Sequence, residues 1–154
     1  MANRRGQVAL SADEADRYLA DSHTIILSTN DPHGYPHSVA MWYVVDDDGA
    51  VLMTTFGKSQ KVKNVERDPR CSLLVESERT YDKLKGLLIR GRAEIGRDPA
   101  VVFDTLLAIN RKYQQGPEEL VRPLFEKQSK KRVLLKIVPE RTSSWDHAKL
   151  GGAY

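Results

Sequence analysis

The strongest structural pattern in this chain is VLMTTFGKSQKVKNVERDPRCSLLV, residues Val51–Val75. Val51–Phe56 are apolar or β-branched and end at Gly57, a pattern typical of a buried strand followed by a turn. Residues 60–67 have helical spacing, and the Asp-Pro pair that follows them ends a helix. Cys71–Val75 form a second apolar run. The stretch therefore predicts a strand, a short helix and another strand.

The first turn of the predicted helix is basic. Ser59 can cap the helix, and Val62 and Val65 can face the core. Lys58 and Lys61 lie three residues apart at the end where a helix already carries partial positive charge. Cations are favourable there when an anion binds between them, and phosphate is the usual one. The alternative is a solvated basic helix end.

Composition limits the classes of function. The chain has 154 residues, enough for one domain with a buried core, and its net charge is only +3. This charge is compatible with an anionic ligand and too small to indicate nucleic acid. The single cysteine, Cys71, excludes an internal disulfide and is predicted to lie in the core. The sequence has no apolar run long enough for a signal peptide or a membrane span, so we expect a cytoplasmic protein.

The other elements are predicted from apolar alternation and helical spacing. Strands are predicted at 24–29, 35–45, 84–95 and 131–138, and helices at 12–20, 99–113 and 118–127. The helix at 12–20 begins with a capping box at Ser11, and the helix at 99–113 begins at Asp98-Pro99. After residue 138 no periodic core pattern remains. Six strands with marginal helices fit a small antiparallel barrel.

Conventional catalytic motifs are missing. The sequence contains no nucleophile elbow, no phosphate-binding P-loop and no dinucleotide-binding glycine motif. His33 and His37 flank a Gly-Tyr-Pro turn, so they cannot share a helix face as metal ligands, and we predict no metal site. Cys71 has no neighbour that would activate it. If the protein is an enzyme, a bound cofactor therefore carries the chemistry.

Three segments together resemble the split β-barrel flavin and deazaflavin oxidoreductases, the superfamily that includes pyridoxamine phosphate oxidase. In the first, the matching residues are Thr54-Thr55, Gly57, Ser59-Gln60-Lys61, Asn64 and Arg67-Asp68-Pro69-Arg70. In the second, residues 34–49, GYPHSVAMWYVVDDDG, look like the second strand and hairpin of the family. In the third, residues 144–152, SWDHAKLGG, look like the tail of the branch that uses the deazaflavin coenzyme F420. The similarity covers nearly the whole chain.

The resemblance implies a mainly β fold: a six-stranded antiparallel split β-barrel, the FMN-binding split barrel, with short flanking helices. Residues 1–154 would form one cofactor-binding domain, with 144–154 as a tail that covers the site. Such proteins are homodimers with two cofactor sites at the subunit interface and a small-molecule substrate. The implied cofactor contacts are Ser38, Val39, Ala40, Met41, Thr54, Thr55, Lys58, Ser59, Gln60, Lys61, Trp145 and His147.

The matching positions also imply a role for each contact. Lys61 would hold the cofactor phosphate, with Lys58 and Ser59 beside it. The Thr54-Thr55 pair would contact the phosphate or the ring. Residues 38–41 would line the ring, and the tail aromatics at 145 and 147 would close the site from the same subunit or from its partner.

Two departures separate the chain from pyridoxamine phosphate oxidase itself. Gln60 stands where those oxidases carry Arg, and the Arg-Leu-x-Pro ending that they use on their substrate is absent. F420 carries a lactate and a glutamate tail beyond the single phosphate of FMN, so it needs more scattered cations. Lys58, Lys63, Arg67 and Lys149 are candidates, although solvated surface charge is the stronger interpretation for Lys63 and Arg67.

Two other features have plain structural interpretations. Trp42, on a strand with two apolar faces, is predicted to lie in the core or in a dimer interface. The basic run KQSKKR at 127–132 is predicted to be a solvated edge that discourages strand pairing. The sequence lacks the spaced aromatics of a nucleic-acid barrel, so no nucleic-acid partner is expected.

These observations lead to one main functional hypothesis and two alternatives. The main one is an F420-dependent reductase that transfers a hydride from reduced F420 to a conjugated small molecule. No side chain is assigned as the proton donor; solvent, Tyr43 and His147 are candidates. The alternatives are an FMN-dependent oxidase or reductase of the same fold, and a non-catalytic protein that binds a flavin, a deazaflavin or a haem-like ligand.

Overall fold

One antiparallel sheet organises the computed structural model, which describes residues 4–151. Its seven strands are β1 (Ile25–Asn30), β2 (Pro36–Met41), β3 (Val44–Val45), β4 (Val51–Phe56), β5 (Arg70–Ser77), β6 (Lys85–Gly96) and β7 (Arg132–Asp146). The order across the sheet is β2-β1-β5-β6-β7-β4-β3. The helices are α1 (Arg4–Val8), α2 (Ala12–Asp21), α3 (Gln60–Arg67), α4 (Pro99–Tyr113) and α5 (Glu118–Ser129), with 3-10 turns at Tyr81–Lys83 and His147–Leu150.

The two edge strands of the sheet, β2 and β3, are consecutive in the chain. Only Trp42 and Tyr43 connect them, and so short a connection spans about 10 Å. The sheet must therefore curl until its edges approach, which produces a half-barrel. Tyr43 is fully buried at this seam, and its backbone N–H donates to the Tyr113 hydroxyl at 3.0 Å.

Alternate residues of the strands fill the inside of the half-barrel. The fully or almost fully buried strand residues there are Ile25, Leu27, Val51, Met53, Leu73, Val75, Leu87, Ile89, Leu135 and Ile137. Leu19 of α2 and Val62 and Val65 of α3 pack against the same cluster. Each such side chain contributes about 1.5–3 kcal/mol when it leaves water. A separate cluster fixes α4 to the outer face of the sheet through Val102, Leu106 and Leu134.

The predicted antiparallel barrel is confirmed, and most elements lie within two residues of their predicted bounds. Helix α2 has the predicted capping box: the Glu14 N–H donates to Ser11 Oγ at 3.2 Å, and the Ser11 N–H donates to Glu14 Oε2 at 2.7 Å. Helix α5 continues through Pro123 and ends at Ser129. None of the helices in the described part of the chain is long and apolar enough to cross a membrane.

Two strand predictions were wrong. The strand predicted at 35–45 is broken at Trp42-Tyr43, because the chain there passes from one edge of the sheet to the other. The last strand continues to Asp146, eight residues beyond its predicted end at Val138. Its second half pairs with β6 through the backbone, and its side chains, mostly polar and exposed, give no alternating apolar pattern. Residues 144–146 are thus strand, and residues 152–154 of the predicted tail lie outside the described part.

Gly91→Ala should destabilise the fold at the irregularity in the β6–β7 pairing. The register shifts between Arg90 and Gly91, and a Cβ on Gly91 would lie 2.4 Å from the backbone oxygen of Val138. Because a backbone atom cannot move aside cheaply, we expect a loss of about 1–3 kcal/mol in the free energy of unfolding, measured in urea. Gly6→Ala is the control, since an added Cβ on Gly6 meets nothing within 4 Å. Equal midpoints for the two variants would contradict this account.

Candidate functional site

The turn from β4 into α3 leaves the start of the helix without a side-chain cap. Ser59 occupies the N-cap position, but its hydroxyl accepts no backbone N–H. Instead, Ser59 Oγ lies 3.3 Å from Thr55 Oγ1. The positive end of α3 is therefore open to an outside acceptor.

Two cations meet beside this helix end. Lys61 Nζ donates to Thr55 Oγ1 at 3.1 Å, and Arg132 Nη1 lies 3.4 Å from both the carbonyl oxygen and Oγ1 of Thr54. Burial lowers the pKa of Lys61, and the nearby Arg132 charge lowers it further. Burial also lowers the pKa of Arg132. We call these two side chains the cation pair.

The cation pair lacks a counter-charge. No carboxylate forms a salt bridge with Lys61 or Arg132 among residues 4–151, and Arg132 Nε is buried without a hydrogen-bond partner there. Like charges in a partly desolvated site repel, so the arrangement favours an anion between them. The donors, three hydroxyl groups, an ammonium and a guanidinium, are those that bind phosphate.

Arg132 is the residue of this candidate site that the sequence analysis missed. Its run, 127–132, was predicted to be a solvated edge, and this is wrong for Arg132, which begins β7 and pairs in register with Phe56 of β4. The guanidinium lies over the Phe56 ring, with 4.6 Å between its carbon and the ring centroid. One signal was present: Arg132 directly precedes the apolar run VLLKIV, so strand pairing could carry it to a neighbouring strand end.

A groove that we call the basic groove begins at Arg132. It has a volume of about 700 Å³ and is lined by Lys58, Arg97, Lys130, Lys131 and Arg132, together with Phe56, Gly57 and Val133. Lys58 thus lines this groove together with Arg132, and its predicted place beside a cofactor phosphate stays a prediction. Arg97 is paired with Glu66.

Gln60 is engaged within the protein. Its Nε2 donates to Asn64 Oδ1 at 2.8 Å, and Asn64 Nδ2 donates to Thr29 Oγ1 at 3.0 Å. This chain of bonds anchors α3 to β1. Gln60 therefore helps to position the helix, and its contact with a cofactor stays a prediction.

An apolar cavity of about 410 Å³ lies on the other side of Arg132, and we call it the helix cavity. It is bounded by the end of β2, by Thr54 and by α4 and α5. Of the predicted ring-lining residues 38–41, Met41 lines this cavity and Val39 packs against the barrel core. Ser38 and Ala40 are exposed on the opposite face of β2, where Ser38 Oγ lies 2.8 Å from Ser28 Oγ.

Trp42 also lines the helix cavity and does not lie in the core of the chain, so of its two predicted places the dimer interface stays a prediction. It is 41% exposed and stacks on Tyr113, with ring centroids 4.5 Å apart and planes 8° apart. Because the chain crosses between sheet edges at this point, the indole lies at the rim of the barrel.

Trp145 and His147 lie far from the cation pair within one chain. Trp145 follows Arg132 by 13 residues of the same strand, roughly 40 Å along it. Its indole packs over Gly86, where an added Cβ would lie 2.2 Å from the ring. His147 Nδ1 lies 2.8 Å from the carbonyl oxygen of Tyr81. The structure therefore does not bring these two predicted residues to the site within a single subunit.

Comparison with known proteins gives a consistent result. The family model of pyridoxamine 5'-phosphate oxidase matches residues 11–146. The crystal structure of the conserved hypothetical protein Rv2991 from Mycobacterium tuberculosis is 38% identical, with a TM-score of 0.89 over 97% of this chain and 93% of that chain. No functionally curated protein matches this chain.

Two further solved structures are similar. One, described as an F420 reductase, is 27% identical, with a TM-score of 0.68 over 83% of this chain and 94% of that chain. The other is a putative 5-nitroimidazole antibiotic resistance protein from Bacteroides thetaiotaomicron, 13% identical, with a TM-score of 0.73 over 89% of this chain and 85% of that chain. The latter likeness concerns the fold alone.

Lys61→Met tests whether the Lys61 ammonium is held at a cost to stability. Burial, reinforced by Arg132, lowers the pKa of Lys61 in the folded chain below its ordinary value of 10.5. Between the lowered pKa and 10.5 the unfolded chain binds more protons, so stability rises with pH across that window. We expect the wild-type chain to gain stability relative to Lys61→Met on going from neutral pH to the upper end of the window, measured as the difference between urea midpoints. A difference that does not change with pH would contradict the inference.

Proposed function

Because this chain belongs to the pyridoxamine 5'-phosphate oxidase family, we propose that it is an F420-dependent reductase acting on a conjugated small molecule. The observation that carries the proposal is the cation pair, Lys61 and Arg132, which has no carboxylate partner within the described residues. A cofactor phosphate supplies the missing negative charge.

The residues present fit a phosphate-bearing cofactor. Lys61 and Arg132 would bind the phosphate by charge-assisted hydrogen bonds, and Thr54, Thr55 and Ser59 offer hydroxyl groups beside them. The open N-terminus of α3 adds its backbone dipole. The adjacent cations and the uncapped helix end are unfavourable without an anion, which supports a phosphate at this place.

The bound deazaflavin supplies the hydride in this proposal, and the protein supplies position and exclusion of water. Met41 and the apolar side chains of α4 and α5 form an apolar wall that excludes water next to the proposed phosphate site. Among the described residues that line the helix cavity, none is Asp, Glu, His or Tyr. Tyr43 is no proton donor to the site, since it is fully buried, its hydroxyl donates to the Leu19 carbonyl, and burial raises its pKa.

The basic groove favours F420 over FMN. FMN ends at its phosphate, whereas F420 continues into a lactate and a glutamate tail with further carboxylates. Lys130 and Lys131 extend the positive charge outward from Arg132, and Lys58 lies in the same groove. The similar protein described as an F420 reductase also supports this choice. FMN remains the second candidate, because the cation pair alone needs only one phosphate.

The cations that line the basic groove differ from most of those that the sequence analysis predicted to bind the tail of F420. Lys149 Nζ donates to the carbonyl oxygen of Ala9 at 2.9 Å and pairs with Glu14. Arg67 donates to the carbonyl oxygen of Asn30. Both are therefore occupied elsewhere, and of the predicted set only Lys58 lies in the basic groove.

The proposal includes a homodimer. Within one chain, Trp145 and His147 lie at the far end of β7 from the cation pair. They can cover a cofactor bound there only if a second copy of the chain supplies them. A dimer in which each tail meets the site of the other copy satisfies this geometry.

Titration of the cofactor-free protein with F420, and in parallel with FMN, tests the assignment. Lys61→Ala should weaken F420 binding by about 1.5–3 kcal/mol, or about 10- to 160-fold, the range for a hydrogen bond to a charged group. Lys63→Ala is the matched control, because Lys63 is exposed on the same helix. Stronger binding of FMN than of F420 would move the protein to the second candidate, and binding of neither would overturn both. Oxidation of reduced F420 by added acceptors then separates a reductase from a non-catalytic binder.

The double variant Lys130→Gln/Lys131→Gln tests the role of the basic groove. We expect weaker binding of F420 and unchanged binding of FMN, because only F420 extends beyond the phosphate. The loss should shrink as salt is added, since exposed charges are screened within about 10 Å at 0.1 M. Lys63→Gln/Lys127→Gln removes the same charge outside the groove and should have no such effect. Equal losses for the two cofactors would contradict the assignment of the groove to the tail.

A further inference from the structure

The helix cavity has apolar walls. Leu106 and Ile109 of α4 and Val121 and Phe125 of α5 contribute to them, and the cavity opens beside Thr54 of β4. Its volume of about 410 Å³ lies near the lower end of the range for small-molecule sites, which is about 300–1,000 Å³. It suits a compact ring system rather than a polymer.

Asn110, one of the residues that line the helix cavity, has an unpaired hydrogen-bond acceptor within the described part of the chain. Asn110 is only 3% exposed, and its Nδ2 donates to the carbonyl oxygen of Gly116 at 2.9 Å. Its Oδ1 is buried without a partner in the described part of the chain. A buried acceptor left unpaired is costly, so a ligand with an N–H or O–H group would be stabilised here.

The opposite requirement is met at Arg132. Its Nε is also buried and unpaired in residues 4–151, and the side chain lines the helix cavity as well as the basic groove. A guanidinium has five N–H donors in a planar fork, so it can serve the cofactor phosphate and still offer a donor to the cavity. No acidic side chain is found among the described residues that line the cavity. A cationic ligand would therefore lack a counter-charge.

We propose that the helix cavity binds the substrate, an inference that rests on the proposed reductase function. The substrate is a planar, conjugated ring compound of one or two rings. It carries an N–H or O–H donor for Asn110 Oδ1 and an acceptor oxygen, carbonyl or carboxylate, for Arg132. The apolar walls hold the ring itself, and the unpaired acceptor and donor set its orientation.

Binding of 8-anilinonaphthalene-1-sulfonate to the cofactor-free full chain tests the cavity, because this fluorescent probe combines aromatic rings, an N–H group and an anion. Leu124 lines the helix cavity and is 52% exposed, whereas Leu120, one turn earlier on α5, is 73% exposed and does not line it. Leu124→Trp should fill the mouth and weaken probe binding by roughly 5- to 100-fold. Leu120→Trp, the matched control, should change binding by less than about threefold.

Asn110→Leu tests the unpaired acceptor directly and should weaken probe binding at least about fivefold. Thermal unfolding checks that this variant is folded, and the Leu124 variant keeps the test decisive if it is not. Competition tests the chemistry: an amino-substituted naphthoate should displace the probe at a lower concentration than a naphthylmethylammonium ion does. Equal displacement by the two would overturn the assigned polarity.

Three further results would overturn the proposal. The first is equal binding of the probe to the Leu124 and Leu120 variants, whatever the cofactor titration shows. The second is a change of oligomeric mass in Leu124→Trp without a change in probe affinity, which would make the cavity an interface between copies. The third is that neither cofactor binds although Leu124→Trp weakens probe binding. The reductase function would then be wrong, and the substrate assignment with it. Intact F420 binding together with the first result would leave the proposed function standing.

Discussion

The pairing of β4 with β7 is the interaction on which the rest of the molecule depends. Its register places Phe56 opposite Arg132 and Thr54 opposite Leu134, so the end of one strand and the start of the other lie side by side. This brings the guanidinium to the N-terminus of α3, which follows β4 directly. It also fixes the C-terminal end of the α4–α5 segment, while the pairing of β6 with β7 fixes the other end, and the two helices thus form the helix cavity over Thr54. The half-barrel core stabilises this pairing, because alternate residues of both strands are fully buried.

The groups of this site destabilise the protein when no ligand is bound. Lys61 and Arg132 are partly desolvated beside each other, and the buried Arg132 Nε and Asn110 Oδ1 have no partners in the described chain. A sequence selected for stability alone would replace each of these groups by an apolar one. The interior of the barrel offsets the cost with a continuous cluster of aliphatic side chains. Adjacent like charges and unpaired buried polar atoms that occur together, in a fold otherwise consistent at every level, are typical of a binding site.

The features that the sequence predicted correctly are local ones. The α3 segment, its flanking strands and the α2 capping box each depend on residues within a few positions of one another, and Lys61 could be chosen because it lies in the first turn of a helix. Arg132 could not be found in this way, since its contact with Thr54 joins residues 78 positions apart. The second half of β7 was missed because its side chains are mostly polar and exposed, so only pairing with β6 makes it a strand. The choice of Lys149 as a cation for the F420 tail met a similar difficulty, because Lys149 forms a salt bridge with Glu14, which is far away in the chain.

Arg132 borders the proposed phosphate site, the basic groove and the helix cavity, so ligands in these three places would not bind independently. Lys61 and Arg132 carry two positive charges, whereas the phosphate of F420, a diester because the lactate is attached to it, carries one negative charge. One positive charge would therefore stay uncompensated, and a carbonyl or carboxylate oxygen in the helix cavity could still accept a charge-assisted hydrogen bond from the Arg132 guanidinium. FMN ends in a monoester that is largely a dianion at pH 7, so it would neutralise the pair and leave less attraction for an anionic ligand in the cavity. Because coupling between two ligands is reciprocal, an anion in the cavity would weaken the binding of FMN more than the binding of F420.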